Sequence, residues 1–280
     1  MMIKSASIVN LFLLFLVLLS IIGTQFVNFY ENNFLLLLLI PILSFIPILV
    51  AFDKIPERYY SIAVIATALA LLFHTSLISM YIWGADINKE YYYASLTKSN
   101  YFWNSDISHP YNSMLSISIL APICSMVSGI DLTWIFKLIF PLLFSFVPLI
   151  LYQTFKRQTD SKTAFLSSFF FSSLFTFYTE MNSIARQQIA EVFFALLMLL
   201  IVSKNNLNPQ KRLLLFIIFC FSLVTAHYAL TIIFVLVLLF STLFTLCLKH
   251  TVGNNLINAC LLYTSPSPRD LSTSRMPSSA

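Results

Sequence analysis

The chain has 280 residues, of which 59% are hydrophobic and 10% charged, with a mean hydropathy of +0.85 and a formal charge of +5. Soluble domains carry about 25% charged residues, so this composition excludes a water-soluble globule. The basic residues lie in short clusters between apolar runs, which excludes a nucleic-acid surface and marks them as topology signals.

Apolar residues run on without alternation, which excludes a β-barrel, and a backbone in lipid must satisfy its own hydrogen bonds, so each run predicts a helix. Spans are expected over residues 8–27, 34–52, 60–83, 134–155, 164–178 and 189–202. Lys4 precedes the first run as in a signal peptide, but no A-x-A site follows Ile22, so the run reads as an uncleaved anchor. The run 213–248 would make one helix of about 54 Å at ~1.5 Å per residue, against a hydrocarbon core of ~30 Å. It must divide into two spans, turning near residues 225–228.

Residues 114–129 are apolar but short, with several serines and Pro122. Charge decides their placement. If they do not cross, Lys4, Lys54, Arg58, Lys156, Arg157, Lys162, Lys204, Lys211, Arg212 and Lys249 share the inside, and only Lys89, Lys98 and Arg186 stay outside. If they cross, most basic residues fall outside. The sequence therefore predicts an all-α polytopic bundle of about eight spanning helices with a cytoplasmic N-terminus in the cell membrane. Residues 114–129 form an external juxtamembrane or re-entrant helix.

Four cysteines without paired spacing give neither a disulfide framework nor a metal knuckle. From Cys260 the composition turns Ser- and Pro-rich, and residues 260–270 and 274–280 resemble the two ends of a translated sequencing adapter. Three parts are expected: two N-terminal spanning helices over 1–59, a transmembrane core over 60–259 that is truncated, and a non-native tail over 260–280.

The polar residues gather on the predicted outer face. The long loop 84–133 holds Asp86, Glu90, Asp106 and Asp131, with His109 and an aromatic group of Tyr91, Tyr92, Tyr93, Tyr101, Phe102, Trp103 and Tyr111. If the loop opens as a helix, Asp86 and Glu90 share a face, where two carboxylates can bind a divalent cation or supply a general base. An ordinary solvated loop and an interfacial aromatic belt are the plain alternatives. A second outer loop places Glu180, Arg186, Gln187, Gln188 and Glu191 at the start of a span. Arg186 there either meets an anion, with bidentate phosphate binding as the functional case, or snorkels or pairs with Glu180. Lys137 enters a span near the same face, and His227 marks the last turn.

Four segments, GADINKEYYYA, SHPYNSMLSISILAPICSMVSG, IDLTWIFKLIFPLLFSFVPLILYQTFKR and MNSIARQQIAEVFFALLMLL, follow in the order seen in the GT-C superfamily of membrane glycosyltransferases. Over roughly residues 60–248 the chain resembles that superfamily, and most of all an uncharacterised multi-spanning branch of it. The resemblance implies transfer of a sugar from a polyprenyl-phosphate donor to an acceptor on the outer face, with membrane lipid around the site and no nucleic acid. It implies Asp86 and Glu90 as catalytic residues, the pair also holding a divalent cation such as Mg or Mn, and Arg186, Lys137 and His109 as donor-phosphate ligands. The first loop lacks a D-x-D, and the second cluster reads Arg-Gln-Gln where a catalytic acid is expected. Two other classes compete, a transporter or lipid flippase and a noncatalytic membrane subunit.

Overall fold

The computed structural model describes residues 2–203 and 208–252, and the adapter-like tail 260–280 lies outside them. Among the described residues the fold is all helix, with no strand. The main helices are α1 (Met2–Tyr30), α2 (Phe34–Ala51), α3 (Tyr60–Ser76), α4 (Ala85–Asn100), α5 (Ala121–Ser128), α6 (Leu132–Lys156), α7 (Ser161–Ser173), α8 (Ala185–Val202), α9 (Pro209–Ala226) and α10 (Tyr228–Val252). Seven of them, α1, α2, α3, α6, α8, α9 and α10, are long and apolar enough to cross a membrane. The chain is a multi-pass α-helical membrane protein.

The expected span 164–178 is not one helix. It forms α7, breaks at Leu174, whose backbone is extended (φ −65°, ψ 135°), and resumes for one turn at Phe175–Tyr178. Even so, it covers the height of the bundle beside α3. At one end Ser161 donates to Glu57 (2.6 Å), and at the other Thr75 and Asn182 both donate to the carbonyl of Tyr178. The end bearing Glu57 also holds the Lys156–Glu57 (2.8 Å) and Lys162–Asp53 (2.7 Å) ion pairs. The opposite end carries α4, α5 and the polar cluster described below.

α1 packs along α3, and Leu13 and Leu16 share one buried core with Ala63, Val64, Tyr152 and Phe165. Ser20 donates to the carbonyl of Ala70 at 2.8 Å within that interface. Such interhelical bonds contribute only about 0.6 kcal/mol each, so close apolar packing carries most of the association. The run 213–248 divides as its length demands. His227 is the extended hinge (φ −157°, ψ 113°) between α9 and α10, and its Nδ1 accepts the amide of Leu230 at 3.2 Å.

Three departures from regular helix shape the polar end. The predicted span 60–83 stops at Ser76, and residues 77–84 form a loop. Backbone groups that leave a helix and are buried need other partners. Asn28 of α1 supplies two of them, donating to the carbonyl of Leu77 (3.0 Å) and accepting the amide of Ser79 (2.7 Å). The other two departures are wide π turns at Ser116–Leu120 and Ile135–Ile139. Each precedes a proline, Pro122 and Pro141, that has no N–H for the carbonyl four residues back and collides with it. Those carbonyls belong to Ser118 and Lys137, so proline spacing places a widened turn on Lys137.

The π turn Ser116–Leu120 and α5 together make a short apolar helix against α4, with Ile117, Ala121 and Ser125 buried and Ile123, Met126 and Val127 exposed. It is too short to cross alone and lies at the polar end of the bundle.

Candidate functional site

The site begins with Gly84. Its φ of +134° suits only glycine, and a Cβ there would stand 2.9 Å from Cβ of Ser183. This contact lays the start of α4 against the segment leading into α8. Asp86 and Glu90 then fall four residues apart on α4, as the sequence predicted, and face α8 across a sequence gap of about a hundred residues.

Arg186 fills the space between them. Its Nη2 donates to Oδ2 of Asp86 at 2.8 Å, and its Nη1 donates to Oε1 of Glu90. Oε2 of Glu90 accepts the backbone amides of Ala185 (2.8 Å) and Arg186 (3.3 Å). Those are the first amides of α8, whose N-cap residue Ile184 makes no side-chain cap. Glu90 is therefore a cap supplied by a distant helix, placing negative charge at the positive end of the α8 dipole. With this cap α8 starts at Ala185, four residues before the apolar run that predicted a start at Ile189. Arg186 does not pair with Glu180, which stays exposed.

The three groups differ in access. Glu90 is wholly buried, the Arg186 side chain is 11% exposed, and the Asp86 side chain is 35% exposed. Burial pushes the Glu90 carboxyl up to about 7, against the opposing pulls of Arg186 and the two amides. Asp86 moves the other way, its carboxyl held below the usual range by the Arg186 hydrogen bond.

The aromatic group divides in two. Tyr92, Tyr101 and Phe102 are exposed, as an interfacial belt would be. Tyr111 instead lies under Arg186, with Cζ 4.7 Å from the ring centroid, and hydrogen-bonds Asp86. His109 stacks on Tyr93 at 4.7 Å and its Nδ1 accepts the amide of Tyr111 at 3.2 Å. His109 thus supports the ring beneath Arg186. Burial, and then the charge of Arg186, keep the His227 imidazole below its ordinary range.

Lys137 is buried but stands apart from this cluster. Its Nζ donates to the carbonyls of Ile78 and Tyr81, both at 3.1 Å, and among the described residues it makes no ion pair. It lines a cleft of about 430 Å³ bounded by the loop 77–84 and the first turn of α4, with Ile78, Ile82, Trp83, Ile87 and Phe136 as apolar walls. Ile87 and Ser183 belong to the same two segments as Asp86 and Arg186, so cleft and ion cluster are neighbours across α4. On the cleft wall, Asn182 donates to the carbonyls of Leu72 (3.1 Å) and Tyr178 (2.9 Å). Gln188 donates to Asn182 at 3.2 Å.

The structure therefore joins Asp86, Glu90 and Arg186 directly, sets His109 beneath them, and gives Lys137 a cleft of its own. The expected metal role does not fit this arrangement. The carboxylates converge on a guanidinium, both Glu90 oxygens already accept hydrogen bonds, and no group of three candidate ligands forms among the described residues. Sequence reasoning missed the loop 77–84, Ser76, Tyr111 as the Arg186 platform, and Asn28. The widened turn at Lys137, by contrast, had a readable signal: Pro141 follows Lys137 by four residues, which predicts a disturbed turn there. The chain matches no known protein family, no curated protein and no solved structure.

Proposed function

We propose that this protein is a membrane glycosyltransferase that moves a sugar from a polyprenyl-phosphate carrier to an acceptor at the polar end of the bundle. The observation that carries the reading is the 2.8 Å contact between Asp86 and Arg186, which joins α4 to the start of α8 at one end of the bundle beside an apolar cleft. Membrane placement of a carboxylate and a guanidinium is costly, so such groups mark function by default. The cluster of Lys54, Arg58, Lys156, Arg157 and Lys162 at the opposite end supports an external position for the site.

Asp86 is the accessible acid, and we assign it to the acceptor. It accepts a hydrogen bond from the attacking hydroxyl and takes its proton as the new glycosidic bond forms. The bond between the anomeric carbon and the carrier phosphate breaks on the opposite side, inverting the sugar, and the lipid phosphate leaves with the electron pair. Arg186 holds Asp86 in place, a different role from the direct phosphate grip that the resemblance implies, because two carboxylates, Asp86 and Glu90, already face its charge. Glu90 positions Arg186. No step is assigned to a divalent cation, and activity in the presence of EDTA tests that choice.

Transfer is measured in proteoliposomes with a panel of polyprenyl-phosphate sugars. Asp86→Asn should abolish transfer while the protein still inserts and elutes as wild type. Full activity in this variant would overturn the reading. Flux of the lipid-linked sugar without a glycan product would favour a transporter or flippase, and an inactive protein that co-purifies with an active transferase would favour a noncatalytic subunit.

A further inference from the structure

The end of the bundle remote from Arg186 carries cations of two kinds. Beside the start of α3 they are matched, Lys156 with Glu57 at 2.8 Å and Lys162 with Asp53 at 2.7 Å. Where α8 gives way to α9 they are not: the sequence has no acidic residue between Glu191 and Asp270, and Lys211 and Arg212 stand side by side in the first turn of α9. Cations there also face the unfavourable end of the helix dipole. Arg212 is nevertheless half-buried and held in place, its Nη2 donating to two carbonyls in the last turn of α8, those of Leu200 (3.1 Å) and Ile201 (3.2 Å). A guanidinium carries five N–H donors. Among the described residues Nε and Nη1 of Arg212 have no partner, and the side chain makes no ion pair.

Arg212 lines a groove of about 360 Å³ between α8 and α9, whose other walls are Leu200, Ile201, Pro209, Leu213 and Phe216. That volume lies within the roughly 300–1,000 Å³ of small-ligand sites. Leu213 and Ile217, each more than half exposed, continue the apolar surface outward along α9, so the groove opens on the side of that helix which lipid covers. A cation at the end of an apolar groove suits an amphiphile, and with Lys211 exposed alongside it suits a head group of net negative charge. Basic pockets between spanning helices are where anionic head groups dock.

We infer that this groove binds one anionic glycerophospholipid of the surrounding bilayer, with the lipid phosphate on Arg212 and the first part of one acyl chain along Leu200, Leu213 and Phe216. The phosphate supplies the counter-charge that this part of the chain lacks, and the bound lipid ties α9 to the end of α8. The inference is independent of the glycosyltransferase reading, whose site lies at the other end of the bundle.

The test titrates the full chain in detergent with dioleoylphosphatidylglycerol, taking dioleoylphosphatidylcholine and glycerol 3-phosphate as comparators, and reads occupancy by native mass spectrometry and stabilisation by thermal shift. Wild type should bind the anionic lipid saturably and at least fivefold more tightly than either comparator. Arg212→Gln should weaken that binding at least fivefold. Because this variant also gives up the α8 carbonyls, Leu213→Trp is the independent check: it fills the groove, leaves the cation in place, and should weaken binding as much while the protein keeps its elution profile. Lys156→Gln removes one positive charge from the same end of the bundle, at a cation already paired with Glu57, and should leave binding unchanged. Equal losses in Lys156→Gln and Arg212→Gln would reduce the site to general surface charge and overturn the inference. Unchanged affinity in Leu213→Trp, or a comparator binding as tightly as the anionic lipid, would overturn it as well.

Discussion

Glu90 grips the residue Arg186 twice, taking its guanidinium with one carboxylate oxygen and its backbone amide with the other, so that a single buried acid caps a helix and aims the side chain at the start of that helix. The first amides of α8 have no other cap, and the guanidinium has no other buried acid.

Removing that acid should therefore be costly. Glu90→Ala leaves a buried guanidinium half paired and two amides without acceptors, and breaking one side of a buried pair costs roughly 3–5 kcal/mol. Asp86→Asn, at a side chain more than a third exposed to solvent, should cost under about 1 kcal/mol. Thermal unfolding in detergent, followed by tryptophan fluorescence, gives the ranking. Equal losses in the two variants would contradict the assignment of Glu90 as the structural member.

The same acid should leave a signature in the pH dependence of stability. Its carboxyl is raised from 4.5 to about 7, so across that window the folded chain keeps a proton that the unfolded chain has released. The Glu90 contribution is then greatest below 4.5 and declines as pH rises toward 7. Asp86 acts oppositely, its contribution present above 3.8 and lost as pH falls through its lowered folded value. The depressed His227 also pulls the other way, gaining stability as pH rises toward its ordinary value. The quantity to measure is accordingly the difference in unfolding midpoint between wild type and Glu90→Ala. That difference should shift against the wild type from acid to neutral pH; a shift in its favour would contradict the sign.

Gly84 should resist substitution for two separable reasons. Gly84→Ala meets the positive φ, worth about 1–3 kcal/mol of strain, and drives a methyl group toward Ser183. Combining it with Ser183→Gly should recover the part of the clash that Ser183 contributes, leaving the contact with Ile87 Cγ2 at 3.0 Å and the backbone part. A double variant no better than the single one would place the effect in the backbone and Ile87.

Sidedness is open to chemical labelling. On a background lacking the native cysteines, Lys89→Cys and Glu180→Cys should react with an impermeant maleimide from one face of sealed vesicles, and Arg157→Cys from the other. Reaction of positions 89 and 180 from opposite faces would dismantle the site.

Much of this protein could be read from its sequence by itself. Apolar run length set most spans to within a few residues, 60–83 and 164–178 excepted, because lipid leaves a backbone no option but helix. The length of the run 213–248 forced the hinge found at His227, and i to i+4 spacing put Asp86 and Glu90 on one helical face. Pairing was another matter. Which acid would meet Arg186, and that Glu90 would start α8 four residues early, depended on a contact across about a hundred residues that no local pattern encodes. Lys137 shows the same division: periodicity placed it in a span, but its isolation in an apolar cleft follows from Asn28 and Gly84 holding a loop where a helix was expected. Local physics chooses helices, whereas the partners of buried charges are chosen by packing, since only a folded bundle removes the water that would otherwise solvate them.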